Sequence, residues 1–382
     1  MAKKRSTAKA GQARAAKRSA GRSRERTPSV GELQKQIRGV DRQLVKLINQ
    51  RAQLACQLMK GCQTQGAASL MLDSTQQVAE AVAANKGPLP DRTVEAVLRE
   101  LASGCRALVR DVKVAFLGPP YSYCHLAAIR HFGRSVQFMP VGTIAAVFEE
   151  VNRGHSEFGI VPIENSTDGR IADTLEMFTR LPVKVCGEVQ LAIHHTLLGK
   201  CHRTEVKEVY SRPQALSQCR NWLAKHLPAA RMIEVTSTST AAQLAREKPG
   251  AAAIASLEAG VQYGLDVLAE RIEDNPHNVT RFAVIGEHSS PRTGDDRTAM
   301  MFQTEHRFGA LCDALAVFKR NRINLTWIES FPVPGTERAY LFFVEMEGHE
   351  TDARIRRAVA ALSNKTLRLE ILGSCPAAAP KE

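Results

Sequence analysis

The sequence predicts a multidomain protein in which an all-helical unit precedes two units of mixed α and β structure. Three observations lead to this fold class. The chain has 382 residues, more than twice the usual domain length of about 100–150 residues. An apolar stripe with helical spacing runs through its first quarter, and short β-rich segments alternate with helical segments from Val112 onward.

The first 28 residues form a basic tail that contains ten Lys and Arg against one acidic residue, Glu25. The tail has no aromatic residue and no hydrophobic periodicity, so it cannot bury enough apolar surface to fold. We expect residues 1–28 to be disordered, and much of the net charge of +13 then belongs to a solvated tail rather than to a specific nucleic-acid site. An organelle transit peptide is the alternative, because this start is rich in Arg and Ser and poor in acidic residues.

Residues 29–110 are predicted to form an all-helical domain. Apolar residues recur every three or four positions from Leu33 to Leu58, which predicts one long amphipathic helix. Two more helices are predicted at Asp73–Ala84 and Asp91–Val109, because the intervening NKGPLP contains the Gly and Pro that end one helix and start the next.

Residues 111–288 are predicted to form a two-lobed α/β domain. Strand segments such as VKVAFLG and FGIVPI alternate with helical segments, which is typical of largely parallel sheets, and a cleft of this domain is the expected ligand site. A polar linker, EHSSPRTGDD from Glu287, leads to residues 297–375. There the order strand, helix, strand, strand, helix, strand predicts a ferredoxin-like βαββαβ unit.

The cysteine and histidine pattern excludes several classes of protein. The nine cysteines are odd in number and never form a CxxC pair, which fits free thiols in a reducing cytosol better than a disulfide framework. Neither they nor the eleven histidines show metal-ligand spacing, and no apolar run is long enough to cross a membrane. We therefore expect a cytoplasmic protein without a metal, a cofactor or a membrane partner.

Three polar segments follow predicted strands, where α/β proteins bind their ligands. In GPPYSYCHL, from Gly118, a helix that starts near Ser122 would direct backbone N–H groups and the positive end of its dipole at an anion. IENSTDG, from Ile163, supplies a carboxylate, an amide and two hydroxyls, and TSTSTAA, from Thr236, supplies further hydroxyls. A plain turn is favoured for the first segment taken alone, and helix capping explains the third at least as well as a ligand site does. The density of donors in IENSTDG favours a binding site.

These segments, with SRPQALSQC from Ser211 and NVTRFAVIGE from Asn278, resemble the prephenate dehydratase family over nearly all of Val112–Glu287. The resemblance implies a fold like that of periplasmic binding proteins. It also implies an enzyme that removes water and carbon dioxide from prephenate, a small dianion, and leaves phenylpyruvate without any cofactor. In this reaction Thr280 is expected to donate a hydrogen bond to the departing hydroxyl.

The resemblance further implies a set of substrate-binding residues drawn from several segments: Ser122, His125, Asn165, Ser166, Thr167, Gln214, Ser237, Thr238, Arg281 and Phe282. An inter-lobe ion pair remains open for Arg281, and a core position for Phe282. The chain departs from the family pattern at Tyr121, where Gly is usual, and at Leu126 and Arg212, which replace Gln and His. Prephenate and its amino analogue arogenate both remain open as the substrate.

The helical domain resembles the chorismate mutase domain that often precedes this enzyme, most clearly at Asp41, Leu44, Arg51, Ala55 and NKGPLP. The mutase reaction depends on cationic side chains that hold two carboxylates and an ether oxygen. Other residues replace the expected ones at Gln34, Cys62, Gln76, Gln77, Cys105 and Val109, whereas Arg51 and Asp73 are retained. We therefore predict a vestigial mutase site, with Arg51 a buried cation, and a domain kept for dimerisation.

The C-terminal unit resembles an ACT domain, the amino-acid-sensing module that closes this family, through GALCDAL from Gly309 and NRINLTWIES from Asn321. The usual ESRP is ESFP here, with Phe331 in place of Arg. The resemblance implies L-phenylalanine as an effector, bound at a subunit interface of a homodimer or homotetramer. Its expected site consists of Gly309, Ala310, Leu311, Asn324, Glu329 and Ser330.

The function favoured by the sequence is therefore a prephenate dehydratase of phenylalanine biosynthesis with a vestigial mutase domain. A bifunctional chorismate mutase/prephenate dehydratase and a non-catalytic sensor of amino acids or small acids are the alternatives. The lost mutase cations favour the dehydratase with a vestigial mutase domain over the bifunctional enzyme. Thr280, together with Asn165 and Ser166, favours the dehydratase over the non-catalytic sensor.

Overall fold

The computed structural model describes residues 29–61, 77–167, 169–332 and 340–377 of the chain. The basic tail, Cys62, Asp73 and Gln76 lie outside the described residues, and so does the start of the second predicted helix. No helix within these ranges is long and apolar enough to span a bilayer.

The N-terminal part of the chain contains α1 (Val30–Gly61), α2 (77–83) and α3 (Asp91–Ala107). Helix α1 begins with a capping box, in which the Ser29 N–H donates to Glu32 Oε2 (2.7 Å) and the Glu32 N–H donates to Ser29 Oγ (3.3 Å). The apolar stripe of α1 is 43 to 61% exposed at Leu33, Ile37, Val40, Leu44, Leu47, Leu54 and Leu58. Because the stripe is exposed, Arg51 within it is only half-buried, which differs from the buried cation predicted.

The first lobe of the α/β domain is a six-stranded sheet with helices on its faces. Its elements are β1 (Lys113–Leu117), α4 (Tyr123–Phe132), β2 (Gln137–Val141), α5 (Ile144–Asn152), β3 (Phe158–Asn165), β4 (Gly169–Arg170), α6 (Ala172–Arg180), β5 (Lys184–Ala192) and β11 (Val279–Gly286). Five strands have the order β2-β1-β3-β11-β5, and the short β4 pairs with β3.

The second lobe contains a five-stranded sheet. Its elements are β6 (Thr196–Gly199), a 3-10 turn (Arg203–Glu205), β7 (Glu208–Ser211), α7 (Pro213–Gln218), α8 (Arg220–His226), β8 (Arg231–Glu234), α9 (Thr238–Glu247), β9 (Ala251–Ala255), α10 (Leu257–Tyr263) and β10 (Asp266–Ala269). The strand order is β10-β6-β9-β7-β8. The two-lobed α/β prediction is confirmed. Both sheets are mixed rather than largely parallel, because β11 returns antiparallel to β3 and β5, and β6 runs antiparallel to β9.

The chain crosses between the lobes twice, at residues 193–195 and again at 270–278. His194 and His195 lie in the first crossing. His194 Nδ1 lies 2.8 Å from Glu273 Oε1 in the second crossing, and the His195 backbone N–H donates to Glu273 Oε2 at 2.9 Å. Burial alone would raise the pKa of Glu273, but these hydrogen bonds outweigh it and lower that pKa, so the crossings are tied together by a carboxylate.

The C-terminal unit has the predicted βαββαβ order. Its elements are β12 (Asp296–Gln303), α11 (Ala310–Arg320), β13 (Leu325–Pro332), β14 (Tyr340–Glu347), α12 (Ala353–Ser363) and β15 (Arg368–Pro376). The antiparallel sheet, of order β13-β14-β12-β15, buries one face under α11 and α12. Its other face shares a core with the first lobe, where Trp327, Phe343 and Leu372 pack in one cluster with Val185 and Ala283.

Candidate active site

Thr280 and Asn165 lie opposite each other at one end of the first lobe's sheet. Thr280 is the second residue of β11 and Asn165 is the last residue of β3, and the register pairs them across these antiparallel strands. Both are nearly buried, with 8% and 5% of their surface exposed. Asn165 Nδ2 donates to Thr280 Oγ1 at 2.7 Å, so the fold brings together the two most specific residues predicted from the sequence.

The direction of this hydrogen bond decides what the hydroxyl can do. The Thr167 backbone N–H donates to Asn165 Oδ1 at 3.0 Å, which identifies the amide oxygen and leaves the NH₂ group facing Thr280. The Thr280 oxygen therefore accepts from Asn165 and keeps its own hydrogen to donate. A hydroxyl fixed in this way is a directed hydrogen-bond donor rather than a free acid.

A chain of side-chain amides continues from this pair into the second lobe. Asn165 Nδ2 also donates to Asn278 Oδ1 (2.9 Å), and Asn278 Nδ2 donates to Gln218 Oε1 (3.1 Å) at the end of α7. Gln218 Oε1 lies 2.8 Å from His195 Nε2 in the first crossing. The network thus joins Thr280 to both lobes and to the segment between them.

Sequence reasoning missed Asn278, Gln218 and His195 as members of this network. Asn278 could have been found, since residues two apart in an extended segment share a face and Asn278 stands two before Thr280. Gln218 and His195 come from segments that no spacing in the sequence connects. Their contribution required the three-dimensional fold.

The turn after β1 carries Ser122 and His125. Ser122 Oγ caps α4, because it donates to the Leu117 carbonyl (3.0 Å) and accepts from the His125 backbone N–H (3.4 Å), so its hydrogen is used within the turn. His125 Nδ1 accepts from the Tyr121 N–H at 3.0 Å, which leaves the ring proton on Nε2. Burial lowers the pKa of His125, so its ring is a neutral Nε2–H donor at neutral pH.

The same turn connects the two lobes. Tyr121, at the position where glycine is usual, adopts a φ of 65°, and its side chain packs against the core of the second lobe. Ser239 Oγ in α9 donates to the Pro120 carbonyl (3.0 Å), and Ser256 Oγ before α10 donates to the Tyr121 carbonyl (3.3 Å). The departure from the family pattern therefore adds an aromatic contact between the lobes.

The strand end that carries Asn165 also presents Ser166 and Thr167. Both residues are exposed, and Ser166 Oγ accepts from the Val279 backbone N–H at 2.9 Å. The Ser166 oxygen is thus fixed beside the start of β11, whereas the Thr167 side chain projects from the same loop. These two hydroxyls adjoin the Asn165–Thr280 pair.

The predicted hydroxyls of the second lobe have a structural use. Ser237 is the N-cap of α9 and accepts from the Thr240 N–H at 2.9 Å, and Thr238 is buried in the first turn of that helix. Gln214 lies exposed on α7. In the parts of the chain that the structure describes, no group of three His, Cys, Asp or Glu side chains is arranged to hold a metal ion.

Arg281 and Phe282 do not join Thr280. Arg281 lies on the opposite face of β11 and contacts Glu345 of the C-terminal unit at 3.0 Å, so neither a substrate contact nor an inter-lobe ion pair fits it. Phe282 is 1% exposed in the core beneath α4, so its ring cannot line a ligand site. Both residues therefore leave the candidate substrate set.

The predicted effector residues lie on two segments of the C-terminal unit. Gly309 precedes α11 with a φ of 77°, a left-handed conformation that favours glycine, and 310–311 open that helix. Asn324 Nδ2 donates to Glu347 Oε1 at 2.8 Å, and Glu329 lies 3.4 Å from Arg170 of the first lobe. Ser330 follows on β13 and is exposed.

Comparison with protein-family models finds two matches. The model described as chorismate mutase type II matches residues 33–110, and the model described as prephenate dehydratase matches residues 114–290. A relative from Aquifex aeolicus, named bifunctional chorismate mutase/prephenate dehydratase, is 38% identical over 357 residues, which cover 92% of this chain and 99% of the relative. The similarity therefore extends across both matched regions.

Two solved structures resemble about 70% of this chain. Prephenate dehydratase from Arthrobacter aurescens in complex with L-Phe aligns with a TM-score of 0.66 and 31% identity, covering 71% of this chain and 91% of that one. A structure described as GqqA, a quorum quenching acylase, aligns with a TM-score of 0.64 and 28% identity, covering 70% of this chain and 98% of that one.

Proposed function

The chain belongs to the family of bifunctional chorismate mutase/prephenate dehydratases, and we propose that it rearranges chorismate to prephenate in its helical domain and converts prephenate to phenylpyruvate in its two-lobed domain. The domain boundaries proposed for these activities are 29–110 and 111–288, with a regulatory unit at 297–375. The bond between Asn165 and Thr280 is the observation that carries the second step.

The prediction of a dehydratase with a vestigial mutase domain is wrong. The mutase match at 33–110 and the relative with both activities in its name, aligned over nearly its whole length, support the bifunctional alternative instead. The prediction counted individual lost cations, although Arg51 is retained on the helix stripe. A rearrangement needs a sufficient set of cations around the substrate rather than one fixed pattern of positions.

The dehydratase step depends on charge that develops on the leaving oxygen. As the ring carboxylate leaves as carbon dioxide, its bonding electrons move into the ring, the C–O bond breaks and the ring becomes aromatic. The departing hydroxyl oxygen gains negative charge and is released as water after it takes a proton from the solvent. The Thr280 O–H, directed by Asn165, stabilises this oxygen, since donors aimed at developing charge lower the barrier most.

We propose prephenate rather than arogenate as the substrate, in keeping with the prephenate dehydratase match over residues 114–290. We further propose a cytosolic enzyme, because the cysteines in the described part of the chain are free thiols. L-Phenylalanine is the proposed effector, supported by the similar structure that was solved with L-Phe. Equal rates on arogenate and prephenate would refute the proposed substrate preference. A dehydratase rate that stays unchanged during an L-phenylalanine titration would refute the proposed effector.

The mutase assignment is tested by supplying chorismate and prephenate separately to the parent and to Arg51→Ala. We expect the variant to consume chorismate about 10²-fold more slowly or worse, because it loses a cation that stabilises the transition state. Its rate on prephenate should be unchanged. Arg42→Ala is the matched control, since Arg42 is exposed on the same helix and its Nε donates to the Arg38 carbonyl (3.2 Å). A parent that leaves chorismate unconsumed contradicts the proposal.

A further inference from the structure

Strand β11 carries different chemistry on its two faces. Thr280 lies on the face that packs beneath α4, whereas Arg281 lies on the opposite face, in front of the C-terminal sheet, as the alternation along a strand requires. The pairing with β3 repeats this division, since Thr280 opposes Asn165 and Arg281 opposes Glu164. The register of this pairing shifts directly after Arg281. Such bulges commonly set the direction of a side chain next to an active site.

Arg281 is held by carboxylates from three strands. Its Nη1 lies 2.9 Å from Glu164 Oε2 in β3, and its Nε and Nη2 donate to the two oxygens of Glu188 in β5 at 2.9 and 2.8 Å. Nη2 also lies 3.0 Å from Glu345 Oε2 in β14. The planar guanidinium therefore bridges two strands of the first lobe and one strand of the C-terminal unit.

The cluster is charged, and three of its members are nearly closed to solvent, whereas Glu164 at its edge is 27% exposed. The side chains of Glu188, Glu345 and Arg281 are 6, 8 and 15% exposed, and Arg297 lies 3.7 Å from Glu188. Burial raises the pKa of Glu345 although Arg281 opposes the rise, whereas at Glu188 the hydrogen bonds and charge of Arg281 overcome burial and lower the pKa. Because an unpaired buried charge is costly, each member of the cluster fixes the position of the others.

Backbone contacts keep the two sheets at a fixed separation around this cluster. Gly373 of β15 has a φ of 134°, and a Cβ atom there would lie 2.3 Å from the Val185 carbonyl oxygen of β5. Ser290 Oγ donates to the neighbouring Cys186 carbonyl. Close-packed contacts of this kind transmit a displacement instead of absorbing it. A displacement of the C-terminal sheet is therefore transmitted to β5 and to β11, which pairs with β5.

We propose that Arg281 is a positioning residue of the dehydratase, and that Glu345 makes the C-terminal unit part of the support that aims the Thr280 hydroxyl. Thr280 and Arg281 are consecutive on one strand. When the Arg281 guanidinium loses Glu345 as a partner, it shifts toward Glu164 and Glu188 and displaces β11, including Thr280. Small misplacements of a reacting group cost rate steeply. This inference rests on the dehydratase activity proposed above.

The test begins with Glu345→Gln, which keeps the size of the side chain and removes its charge. We expect kcat for prephenate to fall about tenfold, with little change in KM and an unchanged rate on chorismate. Glu370→Gln is the matched control, because Glu370 is half-exposed in the same sheet and pairs with Arg368 of its own strand at 2.7 Å. The control should retain the kcat of the parent.

A double-mutant cycle with Thr280→Val separates positioning from a general loss of structure. If Glu345 acts through Thr280, Glu345→Gln has no further effect on the residual rate of Thr280→Val. Equal fold losses in both backgrounds, or a parental kcat in Glu345→Gln alone, would overturn the inference. A parent with no activity on prephenate would refute the proposed function and the inference with it.

Glu345→Asp replaces Glu345→Gln if the latter does not fold. The shorter side chain keeps the charge but withdraws the carboxylate from Arg281. The same comparison of kcat in the parent and Thr280→Val backgrounds then decides the outcome.

Discussion

At the scale of single residues, Thr280 depends on Asn165 for its direction. A threonine hydroxyl rotates freely unless neighbours fix it, and the Asn165 amide does so by donating to its oxygen. Both residues were predictable, because they stand in IENSTDG and NVTRFAVIGE, two of the segments that resemble the prephenate dehydratase family. The roles of Ser122 and Ser237 were not, because a hydroxyl at a helix start serves a cap and a ligand equally well in a sequence. The role of Arg281 was also unpredictable, because its three carboxylate partners are far apart along the chain.

Asn165→Asp tests the direction of the Thr280 hydroxyl. The substitution replaces the NH₂ group with an oxygen, so the hydroxyl donates to the new carboxylate and its hydrogen no longer reaches the substrate. The added negative charge also repels a dianion. We expect kcat/KM for prephenate to fall about 10²-fold or more in steady-state assays. Asn364→Asp, at the end of α12 where Asn364 Nδ2 donates to the Ala360 carbonyl (3.3 Å), should keep the parental value. A parental value in Asn165→Asp would show that the amide does not orient Thr280.

At the scale of elements, hydrophobic periodicity predicted which segments form helices and strands. It did not predict equally well which of these elements lie beside one another in the fold. The spacing of apolar residues located α1, and the order of patterns located all six elements of the C-terminal unit. The insertion of β11 between β3 and β5 could not be predicted, because it depends on the return of the chain from the second lobe. That return brings Thr280 beside Asn165, so the proposed active site depends on the least predictable feature of the sheet.

Helix α1 is the element whose apolar surface most clearly needs a partner, and a second copy of this chain is the proposed one. Burying one leucine side chain contributes about 1.5–3 kcal/mol, and Leu44 at the middle of the stripe is 50% exposed in the single chain. We expect Leu44→Arg to convert a dimer to a monomer, as measured by the molar mass from light scattering. Arg42→Glu, on the opposite side of the helix, should remain dimeric. A dimer that survives Leu44→Arg would contradict this mode of assembly.

At the scale of the whole molecule, the first lobe and the C-terminal unit share one hydrophobic core and one charged cluster. A second link lies nearby, where the Arg170 guanidinium stacks 3.5 Å from the centre of the Trp327 ring and pairs with Glu329 of the expected effector set. The C-terminal unit, which we propose to be regulatory, is therefore connected directly to β3, β4 and β11. The reaction proposed for the helical domain yields prephenate, which is the proposed substrate of the two-lobed domain. The two proposed activities therefore form consecutive steps in one chain.

The most direct test of this account supplies chorismate alone to the parent and to Thr280→Val, and follows chorismate, prephenate and phenylpyruvate over time. The parent should convert chorismate to phenylpyruvate. Thr280→Val should consume chorismate at the parental rate and accumulate prephenate, because the loss of the hydrogen-bond donor slows its dehydratase step about 10²- to 10³-fold. Phenylpyruvate formation at the parental rate by Thr280→Val, or chorismate that the parent leaves untouched, would contradict the account.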